Sequence, residues 1–174
     1  MDPFASLLKA LHQDAVRFMV IGVWGANYYA RSGATLFTKC DRELFLPIDP
    51  ESLLRAWQVC DATGLSLWTG NEPLDLPRAL TLARAVVERR AMTTATGDEG
   101  LQIDLTLVMG EFEVEVVWER RRTFVVDDVE IPVARLADIV TSKANAGREK
   151  DRLFLATHAE ALRELVRQDD APEG

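Results

Sequence analysis

The sequence predicts an α+β (mixed α/β) fold: a small mixed β-sheet with helices packed on it. Three observations carry that expectation. Apolar residues recur at helical spacing near both ends of the chain. Short apolar or alternating runs bounded by Gly and Pro lie between them. The two kinds of segment do not alternate regularly, which argues against a doubly wound sheet. With 174 residues, the simplest organisation is one domain over 1–168, followed by a flexible tail over 169–174.

The first helix is expected in "DPFASLLKALHQD", where Asp2 can cap, Pro3 can open the first turn, and Phe4, Leu7, Leu8 and Leu11 fall on one stripe. "VRFMVIG" reads as a strand buried on both faces. "GVWGANYYARSG" reads as a turn into a short helix ending near Gly33. "DRELFLP" is the next strand, stopped by Pro47; "DPESLLRAWQVCDATG" is a helix between the cap Asp49 and Gly64. "DLPRALTLARAVVERR" is read as helical, "AMTTATGDEGLQIDLTLV" as a hairpin, and "TFVVDDVEIPV" as a second hairpin turning at Asp127-Asp128. "RLADIVTSKANA", then Gly147 and "REKDRLFLATHAEALRELVRQ", supply two closing helices.

Composition narrows the function. A content of 48% hydrophobic and 28% charged residues describes a globular chain. The net charge of −8 argues against tight nonspecific binding to duplex DNA or to an anionic membrane. Two cysteines outside any CxxC pair, with two histidines, do not make a structural zinc site and suit a reducing compartment. With no secretory signal pattern and no apolar run of about 18 residues, the expected location is cytoplasmic. The run Arg120–Arg122 is read as solvated surface, with an RNA groove as its functional alternative.

Two stretches place carboxylates where chemistry could use them. In "TKCDRELFLP", Asp41 and Glu43 flank one residue and so share a strand face. The pair is either a wet strand end or a seat for a divalent cation. In "LQIDLTL", Asp104 sits in mid-strand on the face opposite Leu101, Ile103, Leu105 and Leu107. If the two strands are neighbours, three carboxylates converge, which is unfavourable without a cation; hard oxygen ligands suit Mg²⁺ or Mn²⁺. Gly22, directly after a buried strand, either makes a tight turn or lets a phosphate approach the backbone. Lys143 ends the apolar stripe of Leu136, Ile139 and Val140, as a snorkelling amine or a ligand-facing one. Trp24 and Tyr28 are read as core, with Trp24 as a weaker substrate-pocket candidate.

Taken together, these residues resemble the nucleotidyltransferase-fold superfamily, the DNA polymerase β-like proteins. The likeness spans about residues 4–166 and rests on Gly22-Val23 after the first strand, the Asp41-x-Glu43 pair, Asp104, and "SKANAGREKD". "IGVWGANYYARSG" is similar to the loop of enzymes that modify aminoglycosides or lincosamides; "SKANAGREKD" is similar to a helix of small prokaryotic members, including abortive-infection toxins. Three features depart from the pattern: Val23 stands where a second small residue is common, Glu43 where a second Asp is common, and "LFTKCDRE" lacks the usual Arg-x-Thr-x-Asp run, with Thr38 three residues before Asp41. The resemblance implies Asp41, Glu43 and Asp104 as catalytic metal ligands for Mg²⁺ or Mn²⁺. It implies Gly22, Val23, Arg31, Lys143, Arg148, Lys150 and Asp151 as the NTP-binding set. The implied activity is transfer from an NTP to a hydroxyl-bearing acceptor. The alternative is a degraded module that binds nucleotide or a protein partner, as in a toxin–antitoxin pair.

Overall fold

Local chemistry starts the chain as its first residues require. In the computed structural model, which describes residues 2–30 and 42–171, the Asp2 carboxylate accepts the Ala5 N–H at 3.3 Å and Pro3 opens helix α1 (Pro3–Gln13). That bond satisfies a donor left over by the first turn. Phe4, Leu7, Leu8 and Leu11 are all buried. Strand β1 (Met19–Ile21) runs straight into the six-residue helix α2 (Gly22–Asn27). The expected helix end near Gly33 lies outside the described residues. Strand β2 (Arg42–Phe45) leads to α3 (Pro50–Ala62), where Asp49 accepts the Ser52 N–H at 3.2 Å.

The next segments depart from expectation. Strands β3 (Ser66–Thr69) and β4 (Glu72–Pro73) form a small antiparallel pair that the sequence reading does not contain. Four and two residues are too few to display a period. Helix α4 (Leu80–Glu88) begins later than Asp75, because Arg78 donates to the Leu74 and Asp75 carbonyls at 2.6 and 2.8 Å and holds 74–78 as a turn. Strands β5 (Thr93–Thr96) and β6 (Gln102–Thr106) form the first expected hairpin. Helix α5 (Val114–Arg120) was not foreseen. It is secured from outside: Arg17 pairs with Glu115 at 2.7 Å, and the Arg17 and Arg121 guanidiniums lie 4.2 and 3.7 Å from the Trp118 ring centre.

Strands β7 (Arg122–Val126) and β8 (Val129–Val133) form the second expected hairpin. Its two-residue turn uses Asp127 at φ 50° and Asp128 at φ 64°, the paired left-handed geometry that matches strand twist. Helix α6 (Leu136–Ala146) stops at Gly147, which is left-handed. The last expected helix is two helices, α7 (Glu149–Thr157) and α8 (Ala159–Asp170), broken at His158. The tail expected from residue 169 starts too early. The Asp169 side chain, only 2% exposed, pairs with Arg122 and Arg135 and ties α8 to the body through Asp170.

All eight strands belong to one mixed sheet in the order β4-β3-β5-β6-β2-β1-β8-β7. The β2–β6 and β1–β8 pairs are parallel; the others are antiparallel. On one face Val20, Leu44, Ile103 and Leu105 are buried, and Trp57 of α3 donates its indole N–H to Thr93 at 3.1 Å there. Cys60, also on α3, is buried in this core, and burial pushes its thiol up to about 12. In the native protein at neutral pH, peptide mapping after alkylation is therefore expected to find Cys60 unlabelled until denaturant is added. Among the described residues, no helix is long and apolar enough to cross a membrane.

Candidate functional site

One row of residues crosses the other face of the sheet. Trp68, Thr94, Asp104, Glu43 and Ile21 are successive Cα partners on β3, β5, β6, β2 and β1. Residues paired in this way project to one side. Glu43 and Asp104, far apart in the chain, thus sit directly opposite each other on adjacent parallel strands, about 4.8 Å apart at the backbone.

Their surroundings differ. Glu43 lines a cleft of about 270 Å³ together with Gly22, Thr106, Ser142, Lys143 and Arg148. Asp104 is 8% exposed and lies outside that lining. Its Oδ1 accepts from the Thr94 hydroxyl at 3.1 Å and from the Gln102 amide at 3.4 Å, so its side chain is held from β5 and β6.

Gly22 explains how Glu43 is seated. It has φ +70°, and a Cβ built there would fall 2.1 Å from Glu43 Oε2. The carboxylate occupies the space that any side chain at position 22 would fill. The extra methylene of glutamate, relative to aspartate, carries the charge over the Gly22 backbone. Val23 points elsewhere: successive helical residues turn by about 100°, and its side chain is buried in the core. Gly25 has a packing role, since a Cβ there would come within 3.1 Å of the Val20 carbonyl and 3.2 Å of Ile139 on α6. The absence of a side chain lets α2 sit close to α6.

Further lining comes from α6 and the start of α7. Lys143 and Arg148 both line the cleft. Both hold the buried Asp151 carboxylate, Lys143 Nζ at 3.4 Å and Arg148 Nε at 2.7 Å. Burial pushes the Asp151 carboxyl up, but the Arg148 hydrogen bond and the Lys143 charge outweigh it and hold the group below its ordinary value. Glu43 thus shares the cleft with two cations that have a common anchor. Glu43 and Asp104 each offer carboxylate oxygens, the ligand type that hard cations take, but only Glu43 lines the cleft. Among the described residues no group of three His, Cys, Asp or Glu converges on one point. Asp41 and Arg31 lie outside those residues.

The structure therefore gathers Gly22, Glu43, Lys143 and Arg148 around one space, with Asp104 beside it and Asp151 behind the cations. Lys150 is exposed on α7 and outside the lining. Trp24 also lies outside it, with the Arg42 guanidinium 4.0 Å from its ring centre and Phe4 packed edge-on. Thr94, Gln102 and Ser142 were not singled out from sequence. The hairpin register could have revealed Thr94, because a turn centred on residues 98–100 sets it opposite Asp104.

The arginine run is not a free basic surface. Arg120 pairs with Asp138 at 2.9 Å, Arg121 stacks on Trp118, and Arg122 pairs with Asp169. Each is committed to holding α5, α6 or α8, which removes the motive for an RNA groove. Compared with protein-family models and with curated proteins, the chain matches none.

Proposed function

We propose that this chain transfers a nucleoside monophosphate from an NTP to a hydroxyl of an acceptor, a small molecule, RNA or protein, with Mg²⁺ or Mn²⁺. The observation that carries the reading is the cleft itself, which Gly22, Glu43, Lys143 and Arg148 line together. A phosphate chain matches the two cations, one a point charge and one a planar fork. It would be repelled by Glu43 and Asp104 alone, and a cation held by these carboxylates would offset that repulsion. Glu43 and Asp104, with Asp41, would hold it; when bound, it neutralises phosphate charge and makes the acceptor hydroxyl more acidic.

In the transfer, the acceptor oxygen forms a bond to the α-phosphorus as the bond to the bridging oxygen breaks. Pyrophosphate leaves, and the hydroxyl proton passes to Asp104. Thr94 and Gln102 fix that carboxylate's rotamer through Oδ1. Asp151 keeps Lys143 and Arg148 aimed at the cleft.

A second reading, a module that binds nucleotide or a protein partner without transfer, as in a toxin–antitoxin pair, is favoured by Asp104 lying outside the cleft lining. Calorimetry with Mg²⁺ and each NTP tests the first requirement. At least one NTP is expected to bind only with the metal, and Glu43→Gln to lose that dependence. No metal-dependent binding of any NTP would reject nucleotide chemistry at this cleft. Binding without pyrophosphate release, across hydroxyl-bearing acceptors and unaffected by Asp41→Ala, would select the second reading.

A further inference from the structure

We infer that β7 is a self-pairing edge, at which two copies of this chain join antiparallel about a twofold axis into one continuous sheet. The inference is independent of the nucleotidyl-transfer reading. Its starting point is the contrast between the two edges of the sheet. At one edge, β4 is two residues long and includes Pro73, which blunts it against further pairing. At the other, β7 is five residues long with neither proline nor lysine, and no other described strand pairs with its outer side. Val125 and Val126 on it are 67% and 39% exposed. Phe124 packs edge-on to Tyr29 with ring centres 5.0 Å apart, which anchors the strand to the body.

Hydrogen-bond parity then selects a register. Val126 and Val129 close the two-residue turn, so they form a bonded pair that turns toward each other. Alternation makes Phe124 with Ile131 and Arg122 with Val133 bonded pairs as well. Thr123 is opposite Pro132, which has no N–H to give, as a non-bonded pair permits. Thr123 and Val125 therefore direct their N–H and C=O groups outward. Antiparallel self-pairing centred on Phe124 sets Thr123 opposite Val125 of the second copy, and the reverse. Every outward group of those two residues then finds a partner, and the arrangement is isologous, so it closes at two copies.

Charge favours the same orientation. The strand begins beside Arg120–Arg122 and ends at Asp127-Asp128. Arg120, Arg121, Arg122 and Arg135 stand against Asp138, Asp169 and Asp170, the last also acting on Arg120, so the entry end keeps only a small positive excess. Antiparallel pairing brings it against the acidic turn of the other copy; parallel pairing would align like with like.

Sedimentation or light scattering across a concentration series tests this. The expected result is a mass twice the 19.4 kDa monomer, with dissociation promoted by salt. Val125→Pro deletes an outward donor and leaves the β8 ladder intact, so it is expected to give a folded monomer with unchanged circular dichroism. If that variant fails to fold, hydrogen exchange on the native chain decides: the Thr123 and Val125 amides are expected to slow with rising concentration. A native chain that stays monomeric at every concentration overturns the inference. So does a dimer in folded Val125→Pro, or a native dimer whose Thr123 and Val125 amides exchange freely.

Discussion

Gly22→Ala is expected to abolish metal-dependent nucleotide binding while costing the fold only about 1–2 kcal/mol. The stability cost comes from placing a β-carbon at φ +70°, a conformation that L-residues adopt reluctantly. The functional cost has a different origin. The new methyl would fall 2.1 Å from Glu43 Oε2 and 3.1 Å from its Cδ. Both atoms are at the end of a flexible side chain, so the chain folds and Glu43 swings out of its seat. The carboxylate then leaves the cleft that Lys143 and Arg148 also line. Urea denaturation and calorimetry with Mg²⁺ and NTP, made on the same preparation, separate the two effects. Gly25→Ala is the control, since its methyl would press on the Val20 carbonyl and Ile139 and not on Glu43. Native nucleotide affinity in Gly22→Ala would remove Glu43 from the binding machinery.

Asp151→Ala is expected to cost about 3 kcal/mol of stability, near the lower bound for breaking a buried ion pair, because half of the arrangement is solvated. The Asp151 side chain is 2% exposed and the Lys143 side chain 10%, whereas that of Arg148 is 57% exposed. Loss of the shared carboxylate also frees both cations to leave the cleft, so nucleotide binding should weaken with stability. Asp151→Asn keeps the shape and removes the charge, and isolates the electrostatic part. The pH dependence follows from the lowered carboxyl. The stabilisation is fully present above the unfolded value of about 3.9, and is lost as pH falls through the lower folded value. Urea midpoints measured into that acidic window should fall more steeply for the native chain than for Asp151→Asn. Parallel slopes would show that Asp151 carries no charge-dependent stability.

Much of the local architecture was legible in the residues. Asp2 and Asp49 cap their helices, Gly147 ends another, and Asp127-Asp128 turn the second hairpin, because each acts on backbone groups a few positions away. The misreadings share a cause of the opposite kind. Helix α5 buries Val114 and Val117 against the core and meets Arg17, far upstream, at its surface, while the end of α8 pairs with Arg122 and Arg135. No window around those segments contains the partner that decides them. The site divides in the same way. Gly22, Glu43 and Lys143, which line the cleft, stand out by residue type and position, and Arg148 only through the family resemblance, whereas Ser142 and Gln102 acquire meaning only from their neighbours in the fold.

The sequence by itself determined which residues could carry charge, turn or cap, because those properties belong to single side chains and their near neighbours. Only the tertiary structure decided that Glu43 lies opposite Asp104, rests on Gly22 and shares a cleft with two cations gathered by Asp151. Strand order and register bring together residues from distant parts of the chain, and both are set by the burial of a whole sheet face, which no single segment encodes.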